Sequence, residues 1–158
     1  MLKAQGHTAA ELLTILSARQ LSDGQVVSIS DTPLGFRHGP KTIVNGETLV
    51  VLFLGNDPYT RRYDVDLLNE LRSDGVAGRV LALTARPDHG PASADNVALR
   101  DASDASDLAL CFPYAVFAQS LAFMFSLTLG LRPDTPNARG IVNRVVQGVS
   151  IYPLEPAQ

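Results

Sequence analysis

Two apolar stretches decide the fold of this chain: TLVVLFL, from Thr48 to Leu54, and RVLALTA, from Arg79 to Ala85. Neither stretch alternates apolar with polar residues, and continuous runs of this kind are typical of strands that are covered on both faces, as in a parallel sheet. Between them, residues 59–71 carry apolar side chains at helical spacing, with Asp57-Pro58 as a start signal and Asp74-Gly75 as a stop signal. The sequence therefore predicts a strand, a helix and a second, parallel strand.

The other segments extend this pattern to an α/β sandwich with a mostly parallel sheet. A capping box, Thr8 to Glu11, predicts a helix over residues 9–20. Further predictions are a strand at Val26–Ser30, a third, buried strand at Asp107–Phe112, a buried helix at Tyr114–Leu129, a last strand at Val149–Tyr152 and a loop at Arg86–Ser106 around one short extended piece, Asn96–Leu99.

Length and composition predict a single domain over residues 1–158, with 46% apolar and 18% charged residues. A net charge of −3 without a basic run argues against nucleic-acid binding. Residues 108–131 hold no charge, but Pro113 and several polar residues interrupt them, so we expect a buried helix and no membrane span. The single cysteine, Cys111, is interpreted as a buried apolar side chain in a cytoplasmic protein. We expect no metal site and no cofactor.

The loop Gly55–Thr60 connects the first strand to the predicted helix. Ligands of parallel α/β sheets bind beyond the carboxyl ends of the strands, and the amino end of a helix favours an anion. Here Asp57 occupies that place, and its carboxylate would repel a phosphate. We interpret the loop as structural, while contact with a ligand stays open as the alternative.

The segment from Arg37 to Lys41, Arg-His-Gly-Pro-Lys, contains the strongest candidate for chemistry. Histidine as a residue type titrates near neutrality, and flanking cations favour the neutral form of an imidazole, so a cluster of this composition is suited to binding an anionic oxygen and moving a proton. By composition alone, a histidine in a loop is more often an ordinary surface residue. A second His-Gly-Pro begins at His89, but its flanking residues differ, and we rank it lower.

Three separated motifs carry a resemblance to a known family: Phe36–Lys41, Asn56–Arg61 and Val142–Val149. Together they resemble the second sugar isomerase (SIS) domain of the tagatose-6-phosphate ketose/aldose isomerase family, which includes galactosamine-6-phosphate deaminases. The likeness runs from about Ser22 to Leu154. It implies a three-layer α/β/α sandwich and aldose–ketose chemistry on an open-chain sugar phosphate or amino-sugar phosphate.

The resemblance also implies roles for the residues of the His-Gly-Pro segment. His38 takes the position of the histidine that is thought to open the sugar ring, often in the pocket of a neighbouring subunit or domain. Arg37, Gly39 and Lys41 take substrate-binding positions beside it.

Three departures from the family pattern accompany the resemblance. The glutamate that moves a proton between C1 and C2 falls on Gln20, which cannot accept a proton at neutral pH, and Met1–Gln20 lacks the usual first strand. Gln147 stands at a substrate-binding position where another branch of the family has lysine. The Ser/Thr-rich phosphate loop has no counterpart anywhere in the chain, so the chain resembles the second half of a two-domain enzyme, or a fragment of one.

Two functional hypotheses follow. The first is an isomerase or deaminase half that works as a homodimer or with a partner half, with little or no turnover by itself. The alternative is an inactive SIS-fold module for binding a carbohydrate derivative or for dimerisation.

Overall fold

The structure, a computed structural model, describes residues 25–86, 95–135, 137 and 148–153. The predicted helix over residues 9–20 and the predicted absence of a first strand lie outside these residues. The described elements are, in chain order, helix α1 (Pro33–Arg37), a 3₁₀ turn (Pro40–Ile43), strand β1 (Leu49–Phe53), helix α2 (Thr60–Asp74), strand β2 (Arg79–Thr84), strand β3 (Asn96–Ala98) and helix α3 (Asp107–Thr128).

The predicted β1–α2–β2 unit is confirmed, and it forms the centre of a parallel sheet with strand order β1-β2-β3. In the first pair Leu49 lies opposite Arg79 and Phe53 opposite Leu83. The short extended piece that the sequence predicts at Asn96 is the third strand, which pairs with β2 in parallel. The α/β class with a parallel sheet is therefore correct.

Helices cover both faces of this sheet, which gives the predicted three layers. Alternate residues along a strand point to opposite faces, so each strand contributes to two cores. On one face the strands pack against Leu67, Leu68 and Leu71 of α2. On the other face Phe53 and Leu83 pack against α3, whose contributions are Leu110, Tyr114 and Ala118.

The prediction of a third strand at Asp107–Phe112 is wrong, because these residues are the first turns of α3. Ser106 begins the helix, and its hydroxyl accepts a hydrogen bond from the Ala109 amide at 3.2 Å. The helix continues through Pro113. A proline removes only one backbone donor, and here the capped first turn and the buried Leu110 outweigh that loss.

The predicted strands at Val26–Ser30 and Val149–Tyr152 are also wrong, since neither segment has strand geometry. Both were predicted from apolar, partly β-branched composition. Such composition stabilises a strand by packing on a half-buried pleated surface. Val27 and Ile151 instead expose 86% and 94% of their surface.

Helix α3 is less buried than predicted. One stripe is buried, formed by Leu110, Tyr114, Ala118, Ala122 and Ser126, and the first three of these residues pack in the core with Phe53 and Leu83 of the sheet. The helix is long and apolar enough to cross a membrane by length and composition, and only 22% of its most apolar window is buried inside the protein. Its outward side, which we call the α3 face, exposes Leu108, Phe112, Val116, Phe123, Met124 and Leu127.

Candidate functional site

The loop after β1, Gly55–Thr60, forms hydrogen bonds that cap helix α2. Asp57 Oδ1 accepts the amides of Tyr59 and Thr60, at 3.0 and 2.8 Å, so it caps the start of α2. The hydrogen bond from the Thr60 amide lowers the pKa of the Asp57 carboxyl. A negative charge is thus already present at the helix end where a phosphate would be held, which agrees with the structural interpretation of this loop.

Backbone groups at the carboxyl ends of β1 and β2 are also satisfied from within the protein. The Gly55 amide donates to Asp64 at 2.9 Å, and the Asn56 amide donates to Asp107 at 2.6 Å. Arg61, buried at the start of α2, donates to the Gly55 carbonyl at 2.8 Å and to the Thr84 hydroxyl at 3.1 Å. This edge of the sheet therefore presents carboxylates and paired backbone groups, not a row of free amides.

Two further side chains form hydrogen bonds that hold this edge of the sheet to α3 and to the segment before it, and the sequence analysis identified neither. Tyr114 donates to the Leu54 carbonyl at 2.7 Å, and burial raises the pKa of its phenol. The Asn56 amide group donates to three carbonyls of the segment before α3, those of Ala102, Ser103 and Ala105. Asn56 comes shortly after the end of β1, directly after Gly55. A polar residue at the end of a buried strand indicates a side chain that hydrogen-bonds to a neighbouring segment.

The His-Gly-Pro segment lies elsewhere, between α1 and β1. Thr32 caps α1, with its hydroxyl accepting the Gly35 amide at 3.1 Å, and the helix ends at Arg37. His38 follows and is exposed. Gly39 has open space where a side chain would begin, so no close packing requires a glycine there. Pro40 then starts the 3₁₀ turn, which presents His38 outside regular structure, as predicted.

The two cations beside His38 point at helix α2. Arg37 Nε donates to Glu70 Oε2 at 2.7 Å, Lys41 Nζ donates to Glu70 Oε1, and Lys41 also pairs with Asp74 at 2.6 Å. The hydrogen bonds to Asp74 and Glu70 raise the pKa of Lys41. The hydrogen bond from Lys41, with a further contribution from Arg37, lowers the pKa of Glu70. We call these four residues the ion-pair cluster.

The structure brings together only some of the predicted site residues. Arg37, His38, Gly39 and Lys41 form one surface segment, in which the cations contact α2. Gln20, Gln147 and the lower-ranked His89 lie outside the described residues.

No group of three or more His, Cys, Asp or Glu side chains that could hold a metal occurs among the residues the structure describes. Cys111 is half-buried, and burial raises the pKa of its thiol, which disfavours the reactive thiolate.

Sequence reasoning missed Glu70 and Asp74, although a signal was present. Arg37 and Lys41 are four residues apart, and so are Glu70 and Asp74. Residues four apart lie on one side of a helix, so two oppositely charged pairs with this spacing are suited to pairing across two neighbouring segments.

Comparison with known proteins identifies the relatives of this chain. It is 44% identical over 151 residues to D-galactosamine-6-phosphate deaminase AgaS of Escherichia coli, a match that covers 96% of this chain and 38% of that protein. AgaS of Shewanella sp. strain ANA-3 is 41% identical over 153 residues, which cover 97% of this chain and 36% of that protein. The chain is a homologue of these sugar-phosphate enzymes.

The solved structures give the same result for the fold. The crystal structure of tagatose-6-phosphate ketose/aldose isomerase from Escherichia coli superposes with a TM-score of 0.74 at 40% identity, over 85% of this chain and 35% of that one. No family model matches the chain. The resemblance seen in the motifs is therefore confirmed, and the chain spans less than two fifths of the length of the AgaS relatives named above.

Proposed function

We propose that this chain forms the His38-bearing part of a sugar-phosphate aldose/ketose isomerase or amino-sugar-phosphate deaminase, and that it acts with a partner subunit or partner half. The homology supports the substrate class, because the relatives are a galactosamine-6-phosphate deaminase and a tagatose-6-phosphate isomerase. The reaction belongs in the cytoplasm, where sugar phosphates are metabolised and a lone thiol stays reduced.

One observation carries the proposal that a partner completes the site: the positions of the two candidate segments along α2. The loop Gly55–Thr60 precedes the amino end of the helix, whereas the ion-pair cluster joins the His38 segment to Glu70 and Asp74 near its carboxyl end. Ten residues of helix, from Thr60 to Glu70, span about 15 Å. His38 is thus held far from the carboxyl edge of its own sheet, which supports action in a pocket completed by another chain or segment.

The exposed imidazole of His38 is suited to opening a pyranose ring. Ring opening breaks the bond between C1 and the ring oxygen: the C1 hydroxyl gives up a proton and the ring oxygen receives one. An imidazole can perform both transfers near neutral pH, and positioned proton transfer accelerates a reaction by roughly a hundredfold to ten-thousandfold. The product is the open-chain aldehyde on which isomerisation or deamination proceeds.

The partner binds the phosphate and supplies the base that transfers the proton between C1 and C2. At the carboxyl edge of this sheet, Asp57 and Asp107 occupy the amides that would otherwise face an anion. The position of the family glutamate falls on Gln20. The chain alone is therefore expected to have little or no turnover.

The α3 face supports association, either as a homodimer or with a partner half. Large exposed apolar patches on soluble proteins are typical of interaction sites. Phe112 and Val116 expose 74% and 62% of their surface on this face. The relatives are more than twice as long as this chain, so they contain further sequence that such a face could contact.

The alternative function, an inactive SIS-fold module for carbohydrate-derivative binding or dimerisation, is favoured by one specific observation. The carboxyl edge that binds ligands in parallel α/β folds is closed by internal hydrogen bonds from Asn56, Arg61 and Tyr114. A module that only assembles has no need of an open edge there.

A chimera separates the two functions. This chain replaces the matched 151-residue segment of Escherichia coli AgaS, and deamination of galactosamine 6-phosphate is measured with the parent enzyme as reference. Activity in the chimera, lost in His38→Asn on the cyclic sugar but retained on an open-chain analogue, supports the enzymatic proposal. A folded chimera without activity, or an active one that His38→Asn leaves unchanged, would overturn it.

A further inference from the structure

The ion-pair cluster has a geometry that ordinary surface ion pairs lack. Glu70 uses its two carboxylate oxygens separately: Oε2 accepts from Arg37 and Oε1 accepts from Lys41. These two cations stand one residue before and three residues after His38. A single carboxylate on α2 therefore holds both ends of the segment that presents the imidazole.

Other contacts of the same segment restrict it further. Asp74, one helical turn beyond Glu70, forms a second ion pair with Lys41. Phe36 packs against the core on the α2 side of the sheet. The Thr42 amide and hydroxyl both bind the Gly39 carbonyl, at 3.0 and 2.8 Å. The segment around His38 is thus tied down on both sides, while His38 itself is exposed.

The exposure of the ion-pair cluster distinguishes two roles: stabilising the whole fold, or fixing one short segment. The four charged side chains are 27% to 39% exposed, and ion pairs that water can reach contribute little to global stability. A purely stabilising role would thus gain little from four charges. Fixing a short segment in one geometry is a local effect, and two pairs that share one acceptor are suited to it.

We propose that Glu70 is the positioning residue of His38: it fixes the segment Arg37–Lys41 on α2 so that the imidazole is presented in one orientation to the partner's pocket. Arg37 and Lys41 act mainly in this attachment. Asp74 supports Lys41 only, so its contribution is smaller. The inference rests on the proposed function for its catalytic consequence, but the attachment itself is measurable in the isolated chain.

The first test is amide hydrogen exchange in the full chain. Glu70→Gln keeps the size of the side chain and removes its charge, and it should speed exchange in residues 36–43 at least about tenfold while β1 and β2 keep wild-type rates. Asp74→Asn should have a smaller effect in the same residues. Glu47→Gln, at an exposed glutamate outside the cluster, is the matched control and should change nothing.

A charge exchange tests the pairing directly. Arg37→Glu alone should release the segment, and Arg37→Glu combined with Glu70→Arg should restore slow exchange in residues 36–43 only in part, because the introduced arginine pairs with the introduced glutamate but repels Lys41. Unchanged exchange in Glu70→Gln would overturn the proposal. So would an equal acceleration throughout the sheet, since that would show general destabilisation and not the release of one segment.

The second test is catalytic and uses the AgaS chimera. Glu70→Gln should lower kcat on the cyclic sugar by roughly tenfold to a hundredfold, because a small displacement of a reacting group slows the reaction strongly. The kcat on the open-chain analogue should stay unchanged. Full activity on the cyclic sugar in Glu70→Gln would overturn the positioning role. A chimera in which His38→Asn has no effect would instead overturn the proposed function, while the exchange experiment still decides whether Glu70 holds the segment.

Discussion

Helices α2 and α3 cover opposite faces of the same sheet, yet their outward sides differ. The outward side of α2 is polar or charged, whereas that of α3 is largely apolar. Exposed on α2 are Arg62, Asp66, Asn69, Arg72, Ser73 and Asp74, and the large apolar side chains exposed on α3 are Leu108, Phe112, Val116, Phe123, Met124 and Leu127.

The difference shows which side of the chain is suited to contact with solvent and which side is suited to contact with another protein surface. Helix α2 has the amphipathic pattern of a solvent-facing helix, and it uses its charges internally, through Arg61, and at its surface, through Glu70. A helix that is apolar on all sides is normally covered on all sides. The α2 side therefore carries the His38 segment, which we propose faces a pocket completed by another chain or segment, and the α3 side offers a separate apolar surface for association.

The largest expected effect compares two aromatic residues of α3. Tyr114→Ala should destabilise the chain by about 3 to 5 kcal/mol, because it removes a fully buried ring and leaves the Leu54 carbonyl without its phenol donor. Phe112→Ala, on the exposed side, should stay within about 0.5 kcal/mol at a protein concentration that keeps the chain monomeric. Urea unfolding of both variants measures the difference. Equal losses would show that the α3 face is packed within the chain itself.

The next effect compares two neighbouring arginines of α2. Arg61→Ala should cost about 2 to 3 kcal/mol, because the Gly55 carbonyl and the Thr84 hydroxyl lose a buried charged donor. Arg62→Ala, at an exposed position on the same helix, should change stability by less than about 0.5 kcal/mol. Thermal and urea unfolding check the pair. A harmless Arg61→Ala would contradict the account of a sheet edge closed from within.

Introducing charges on the α3 face should weaken association, whereas a charge substitution on α2 should not. Phe112→Arg with Val116→Arg should weaken self-association, or binding to a partner half, by at least about tenfold, since two charges would have to be desolvated in an apolar contact. Arg62→Glu on α2 is the control and should leave association unchanged. Sedimentation velocity over a concentration series measures both. A wild-type chain that is monomeric at high micromolar concentration would argue against the homodimer.

Where sequence reasoning succeeded, a local pattern and the tertiary contacts agreed. Continuous apolar runs predicted β1 and β2, and the Asp57 and Gly75 signals predicted the ends of α2 within a few residues, because sheet packing and capping act over short distances. The Asp107–Phe112 error arose because a short apolar run is compatible with a strand or a helix, and the serine cap outweighed the proline.

The surroundings of His38 could be predicted from the sequence only in part. The motif identified His38 and its neighbours, but the directions of Arg37 and Lys41 depend on Glu70, some thirty residues further along the chain. No local pattern determines which of several cations binds substrate and which binds a helix. The partner of each cation depends on how α1 packs against α2, which is a tertiary contact.

The smallest expected effect is the pH dependence of the ion-pair cluster, measured as the difference in melting temperature between wild type and Glu70→Gln. The pKa of Glu70 lies below its ordinary 4.5, so its stabilising contribution is complete above that pH and is lost as the pH falls through the lowered value. The pKa of Lys41 lies above its ordinary 10.5, so its contribution is complete below that pH and is lost as the pH rises through the raised value.

The difference in melting temperature should therefore be small and constant between about pH 6 and pH 9 and disappear in acid, where both variants are neutral at this position. It should also shrink in about 1 M salt, because the partly exposed charges of the cluster are screened. Glu47→Gln should show neither dependence. A difference that persists in acid, once the pH has fallen through the lowered pKa of Glu70, would mean that the amide introduced by Glu70→Gln disturbs packing and that the charge of Glu70 is not what holds the His38 segment to α2.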